Sequence, residues 1–114
     1  MKILNDKNYN ELITNTSKII LIYFKTSTCP ACSELEPIIN KLEETQNDIE
    51  VYTCYLDKGS DKINNKYEIR GVPFTVFVNE NKELKYPEVG VKDIGYFISK
   101  IDILTKRKKF FGLF

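Results

Sequence analysis

The sequence predicts an α/β domain: a three-layer sandwich with a mixed central sheet of four to five strands, flanked by helices on both faces. Three observations predict it. Apolar spacing switches along the chain between helical and strand periods, in the order helix, strand, helix, strand, helix, strand, strand, helix. The early strands are separated by helices, which implies parallel pairs, whereas a tight turn late in the chain implies an antiparallel pair. Finally, 114 residues at 42% apolar and 29% charged suit one domain with its own core and exclude a disordered or collagen-like chain.

Each element has its own warrant. A strand at Lys2, Ile3 and Leu4 is short and makes the optional fifth. Residues 5–15 carry Tyr9, Leu12 and Ile13 at helical spacing, with Asn5 or Asp6 available as a cap. Residues 18–25 (KIILIYFK) form a continuous β-branched and aromatic run, the signature of a strand buried on both faces. Residues 30–46 place Leu35, Ile38, Ile39 and Leu42 on one helical stripe. Pro30 suits the first turn of that helix, and Pro37 inside it removes one backbone bond and predicts a kink. Residues 49–57 read as a strand, and 58–68 as a short polar helix with Ile63 and Tyr67 inward. Gly71, Val72 and Pro73 form a turn into a strand at 74–78 (FTVFV). Residues 79–82 turn back into a strand at 83–87, and Gly90 precedes a last helix at 92–104 with Ile94, Phe97, Ile98 and Ile101 on one face. The domain is expected to span residues 1–105, followed by a basic and aromatic tail at 106–114.

Composition narrows the function. Seventeen basic against sixteen acidic residues give a net charge of +1, which disfavours a broad polyanion-binding surface and hence nucleic acid. There is no histidine, so His-based acid–base chemistry, Ser-His or Cys-His couples and His-containing metal sites are excluded. The first residues do not read as a signal peptide, and the longest apolar run, at 19–24, is too short to cross a bilayer. Three cysteines, an odd number, argue against a secreted disulfide scaffold and lead to the expectation of a cytoplasmic protein.

Two of those cysteines stand as Cys29-Pro30-Ala31-Cys32, just after a strand and at the opening of a helix. A helix N-terminus presents free N–H groups and partial positive charge, and both favour thiolate over thiol. A Cys29 pKa of about 7 raises the thiolate fraction at pH 7 from about 3% to about 50%. Nucleophilicity falls along with pKa, so the net gain in attack is about threefold, and the larger benefit is a better leaving group. Cys32 lies one turn further in, within reach of a small ring, and should be less exposed. Cys29 is then the attacking sulfur and Cys32 the resolving one. The plainer readings are half a zinc site, for which only Cys54 remains as a further thiol, and two unrelated core cysteines. Cys54 itself, mid-strand, reads as a small buried hydrophobe, with a regulatory thiol as the minor reading.

The strand at 19–24, the Cys29-Pro30-Ala31-Cys32 motif, Pro37 five positions later, the stretch Lys66-Tyr67-Glu68-Ile69-Arg70-Gly71-Val72-Pro73 and Val89-Gly90 before the last helix together resemble the thioredoxin family. The resemblance runs from about residue 3 to 104. It implies a thioredoxin-like sandwich and a thiol–disulfide oxidoreductase acting on protein disulfides, with Cys29 and Cys32 catalytic. It implies a cis Val72–Pro73 bond, with Pro73 shaping the groove and the Val72 backbone pairing with a bound peptide as a short extra strand. Thr28, Pro30, Ala31 and Gly90 complete the implied substrate-facing surface. No metal and no cofactor beyond the Cys29–Cys32 couple is implied. The implied partners are protein disulfides and an electron donor, either a thioredoxin reductase or a small thiol, and the implied state is a monomer.

The chain departs from the family in places. Thr28 replaces the usual Trp, and Pro30-Ala31 replaces Gly-Pro. Tyr23 and Thr53 stand where the family has a buried Asp and Lys, which leaves the proton acceptor for Cys32 open between Tyr23, Glu34 and water. Cys-Pro-x-Cys also resembles glutaredoxins, and Gly90-Val91-Lys92-Asp93 half-matches their glutathione-holding segment, so a glutathione-dependent enzyme is the rival reading. A non-catalytic binding module tethered by its tail is the third. In that tail, Lys106, Arg107, Lys108 and Lys109 precede Phe110-Phe111-Gly112-Leu113-Phe114. They suit weak contact with an anionic membrane or an acidic partner, at about 1 kcal/mol per basic residue, or simply follow a helix C-terminus whose dipole they complement.

Overall fold

The computed structural model describes residues 1–105; the tail at 106–114, and the docking role considered for it, lie outside them. Nine elements follow in order: β1 (Lys2–Leu4), α1 (Tyr9–Asn15), β2 (Ile19–Lys25), α2 (Cys32–Thr45), β3 (Ile49–Tyr55), α3 (Asp61–Tyr67), β4 (Phe74–Val78), β5 (Leu84–Val89) and α4 (Ile94–Thr105). The five strands form one mixed sheet in the order β1-β3-β2-β4-β5. β3 pairs in parallel with both β1 and β2, whereas β4 is antiparallel to both β2 and β5.

β2 lies at the centre because it has nothing to show solvent. Ile19 through Phe24 are all buried. Ile20, Ile22 and Phe24 face a core shared with Ile13 of α1 and Ile63 and Tyr67 of α3. Ile19, Leu21 and Tyr23 face the other core, with Leu35, Ile39 and Leu42 of α2 and Phe97 and Ile101 of α4. A strand's period of two sends alternate side chains into the two layers. Each large apolar side chain so covered contributes about 1.5–3 kcal/mol. Among the described residues no helix is long and apolar enough to cross a membrane.

Several boundaries differ from expectation. α1 begins at Tyr9, not at residue 5, and neither proposed residue caps it. Asn5 instead forms a local turn, its side chain accepting the N–H of Lys7 and of Asn8 at 2.9 and 3.1 Å. The Asp6 carboxylate reaches across the fold to accept the N–H of Lys62 and Ile63, at 3.0 and 3.1 Å, and so caps α3. β3 stops at Tyr55 and α3 begins only at Asp61, because Gly59 turns the chain with φ +67°. β5 runs on to Val89, through Pro87, as an edge strand. Its pairing with β4 slips between Thr75 and Phe77, where Tyr86 takes φ +54°, as in a β-bulge.

Candidate functional site

β2 ends at Lys25, and the chain needs a short loop to reach α2. That loop is pinned by the Asp57 carboxylate, which accepts the Ser27 N–H at 3.2 and 3.0 Å. These bonds hold the Asp57 carboxyl below the usual carboxylate range. Thr26 Oγ1 adds a bond to Thr28 O at 3.2 Å. Regular helix then starts at Cys32, two residues later than expected. Cys29, Pro30 and Ala31 form a tighter lead-in, their carbonyls accepting the N–H groups of Cys32, Ser33 and Glu34 at 3.1, 3.2 and 3.2 Å. These are i to i+3 bonds, so Cys29 precedes the first regular turn.

Cys29 and Cys32 are joined, with sulfurs 2.02 Å and Cα atoms 5.3 Å apart. Cys32 is fully buried, whereas Cys29 is partly exposed. Thr28, Pro30 and Ala31 are exposed around them. Val72 and Cys29 pack against the same core cluster. The Val72–Pro73 peptide bond is cis. Pro73 is buried, and its carbonyl accepts the Gly90 N–H at 2.8 Å. Gly90 adopts φ +102°, which favours glycine. The structure thus brings Cys29, Cys32 and Val72 to one cluster and ties Pro73 to Gly90 beside it. A cavity of about 560 Å³ involving Ile19 and Leu104 is at the opposite end of β2, and neither cysteine lines it.

Beneath the pair lies Tyr23, one of the proton acceptors weighed from sequence, and on α2 stands Glu36, which sequence reading did not single out. The Tyr23 hydroxyl is enclosed and donates to Cys32 O at 3.3 Å. Burial first, then the neighbouring Glu36 charge, pushes its pKa well above the ordinary phenol value. Glu36 Oε2 lies 2.8 Å from Lys25 Nζ. Glu34, the carboxylate weighed from sequence, is exposed in the first turn of α2. The signal for Glu36 was its spacing, four residues after Cys32 on the same helical face. Cys54 sits in the opposite core and donates to Ser60 Oγ at 3.4 Å. Among the described residues no three Cys, Asp or Glu side chains converge as metal ligands would.

A five-stranded mixed sheet with helices on both faces, carrying a disulfide where β2 hands over to α2, defines a thioredoxin-fold domain with a dithiol–disulfide pair. A model of the Thioredoxin family matches residues 1–102, and the chain belongs to that family. It is 29% identical over 89 residues to thioredoxin of Rickettsia bellii, covering 77% of this chain and 83% of that one. It is 28% identical over 103 residues to protein disulfide-isomerase A3 of Gallus gallus, covering 87% of this chain but only 20% of the isomerase's length. A mutant thioredoxin from Halobacterium salinarum superposes with a TM-score of 0.80 at 25% identity, covering 91% of this chain and 89% of that one.

Proposed function

We propose that the protein is a thiol–disulfide oxidoreductase that reduces or exchanges protein disulfides through Cys29 and Cys32. The observation that carries this reading is the partly exposed Cys29 bonded to a fully buried Cys32 at the head of α2. In the dithiol state, Cys29 thiolate attacks a substrate disulfide and forms a mixed disulfide. Cys32 then attacks Cys29 and releases the reduced substrate. The N–H groups at the start of α2 stabilise charge on Cys29. Thr28, Pro30, Ala31, Val72 and Gly90 form the surface that meets the substrate, and the buried Pro73 shapes it from beneath. Thioredoxin-family proteins act on protein disulfides, and family membership supports the same substrate class here. The reading includes no cofactor beyond the cysteine pair, an electron donor of the thioredoxin reductase or small-thiol class, a monomer and a cytoplasmic setting.

The test is insulin-disulfide reduction driven by dithiothreitol. Activity is expected in the parent chain and only the uncatalysed background in Cys29→Ser. Cys32→Ser should accumulate a mixed disulfide visible by mass spectrometry. Unchanged activity in Cys29→Ser would sink the proposal. Equilibration with glutathione buffers then sets the direction. A potential near −270 mV marks a reductant, and one above about −200 mV marks a glutathione-linked or oxidising role.

A further inference from the structure

In the reaction proposed above, the Cys32 thiol must lose a proton before its sulfur can attack. Cys32 is fully buried, so that proton needs a protein acceptor. α2 supplies one. Glu36 follows Cys32 by four residues, which stacks the two side chains on one helical face, a turn apart. From β2, the enclosed Tyr23 hydroxyl donates to the Cys32 backbone carbonyl at 3.3 Å, and the Glu36 charge is near enough to help raise its pKa. Lys25 is two residues along the same face of β2, and its Nζ holds Glu36 Oε2 at 2.8 Å. The Lys25 side chain is only 13% exposed and Glu36 is 36% exposed. Glu36 is therefore tied to the half-buried Lys25 and still open to water. The charged and titratable groups around it are Lys25 and Tyr23 from β2 and Tyr55 from β3. The Tyr55 ring lies 5.3 Å from Lys25 Nζ and 5.2 Å from Lys58 Nζ.

We propose that Glu36, held by Lys25 and reached through the Tyr23 hydroxyl, accepts the Cys32 proton during resolution. The inference rests on the oxidoreductase reading. The step begins with Cys29 Sγ bonded to a substrate sulfur. The Tyr23 hydroxyl turns its proton from Cys32 O to Glu36 and passes it on as it receives the proton of Cys32. The Cys32 thiolate attacks Cys29 Sγ and forms the Cys29–Cys32 bond. The bond from Cys29 to the substrate sulfur breaks, and its electron pair leaves on that sulfur. Glu36 returns its proton to solvent or to the departing thiolate. The dithiol is oxidised, the substrate disulfide is reduced, and no further oxidant enters.

The experiment is stopped-flow reaction of the reduced full chain with the chromogenic disulfide dithiobis(nitrobenzoate). The first release of nitrothiolate reports attack by Cys29, and the second reports resolution by Cys32. Glu36→Gln is expected to keep the first phase and to slow the second about tenfold at pH 7, less than the roughly hundredfold at which general-base catalysis usually starts. The deficit should shrink as pH rises, because hydroxide takes over the proton. Tyr23→Phe should slow the same phase, and Glu36→Asp should restore part of the rate. If Glu36→Gln folds poorly with Lys25 left unpaired, the pair Lys25→Gln/Glu36→Gln removes both charges and should show the same slow second phase. The proposal is overturned if the second phase stays within twofold of the parent at every pH, if both phases slow equally, or if the deficit ignores pH. Absence of a first phase in the parent chain would instead overturn the oxidoreductase reading on which the proposal stands.

Discussion

The Asp57 carboxylate holds the Ser27 N–H with both oxygens, at 3.2 and 3.0 Å, thirty residues away in sequence. This clamp at the end of β3 fixes the loop that delivers Cys29. Its bonds lower the Asp57 pKa, so its contribution is present above the unfolded value of about 3.9 and is lost as pH falls through the lower folded value. Protection of the Ser27 amide from hydrogen exchange should therefore persist at pH 5 and vanish in stronger acid. Asp57→Asn should weaken that protection at pH 5 and make little difference in stronger acid, where the parent carboxyl is neutral as well. Full protection in Asp57→Asn would show that other contacts hold the loop.

Cys54 is buried and bonded to Ser60, and burial pushes its thiol pKa up. Both effects make it a poor nucleophile at neutral pH. After reduction, iodoacetamide on the native protein should label Cys29, leave Cys54 untouched, and reach Cys54 only in denaturant. Rapid native labelling of Cys54 would revive its reading as a regulatory thiol.

Tyr9 and Tyr67 share a hydrogen bond at 2.7 Å between their hydroxyls. Tyr67 is the buried partner. Tyr9→Phe strands its hydroxyl and should cost about 1–3 kcal/mol. Tyr67→Phe leaves the half-buried Tyr9 able to meet water and should cost about 1 kcal/mol. Removing both should cost no more than Tyr9→Phe alone, since the two act as one unit. Urea midpoints for the three variants and the parent decide it, and simple additivity would contradict the coupling.

Tyr9, Tyr23, Tyr52, Tyr67 and Tyr96 all have raised pKa values, with burial as the largest cause in each. Each contributes stability that is complete below the unfolded value of about 10 and is lost as pH rises toward the folded value. Stability should hold from neutrality to about pH 10 and fall beyond it. Phenolate absorbance for these rings should rise in step with unfolding rather than ahead of it. A smooth titration of the five rings with the far-ultraviolet dichroism intact would disprove this.

The layers were legible because their signal is long and periodic. The run at 19–24 has no polar residue to turn outward, so both faces of β2 had to be covered. The cysteine pair was legible from its spacing and its place after a strand. The start of α2 was not, because Pro30 satisfies the rules for a helical first turn while the carbonyls of Cys29, Pro30 and Ala31 choose the tighter i+3 bonds. β5 was cut short because Pro87 reads as a stop, yet on an edge strand its missing N–H costs the ladder nothing. Glu36 stayed hidden among the polar residues of α2. Its significance depends on Lys25 and Tyr23, which only the packing of α2 on β2 brings to it.

Asp6 caps a helix that begins fifty-five residues downstream of it. α3 has only seven residues, too few to persist alone in water. Its first N–H groups find their acceptor only once the segment after β1 has docked, an arrangement reinforced by the Asp6 N–H bond to Gly59 O at 2.9 Å. The cap of α3 is thus complete only when both segments are in place, which couples the helix to the edge of the sheet. A perturbation at either place should be felt at the other, so the N-terminal segment and α3 should open and close as one unit.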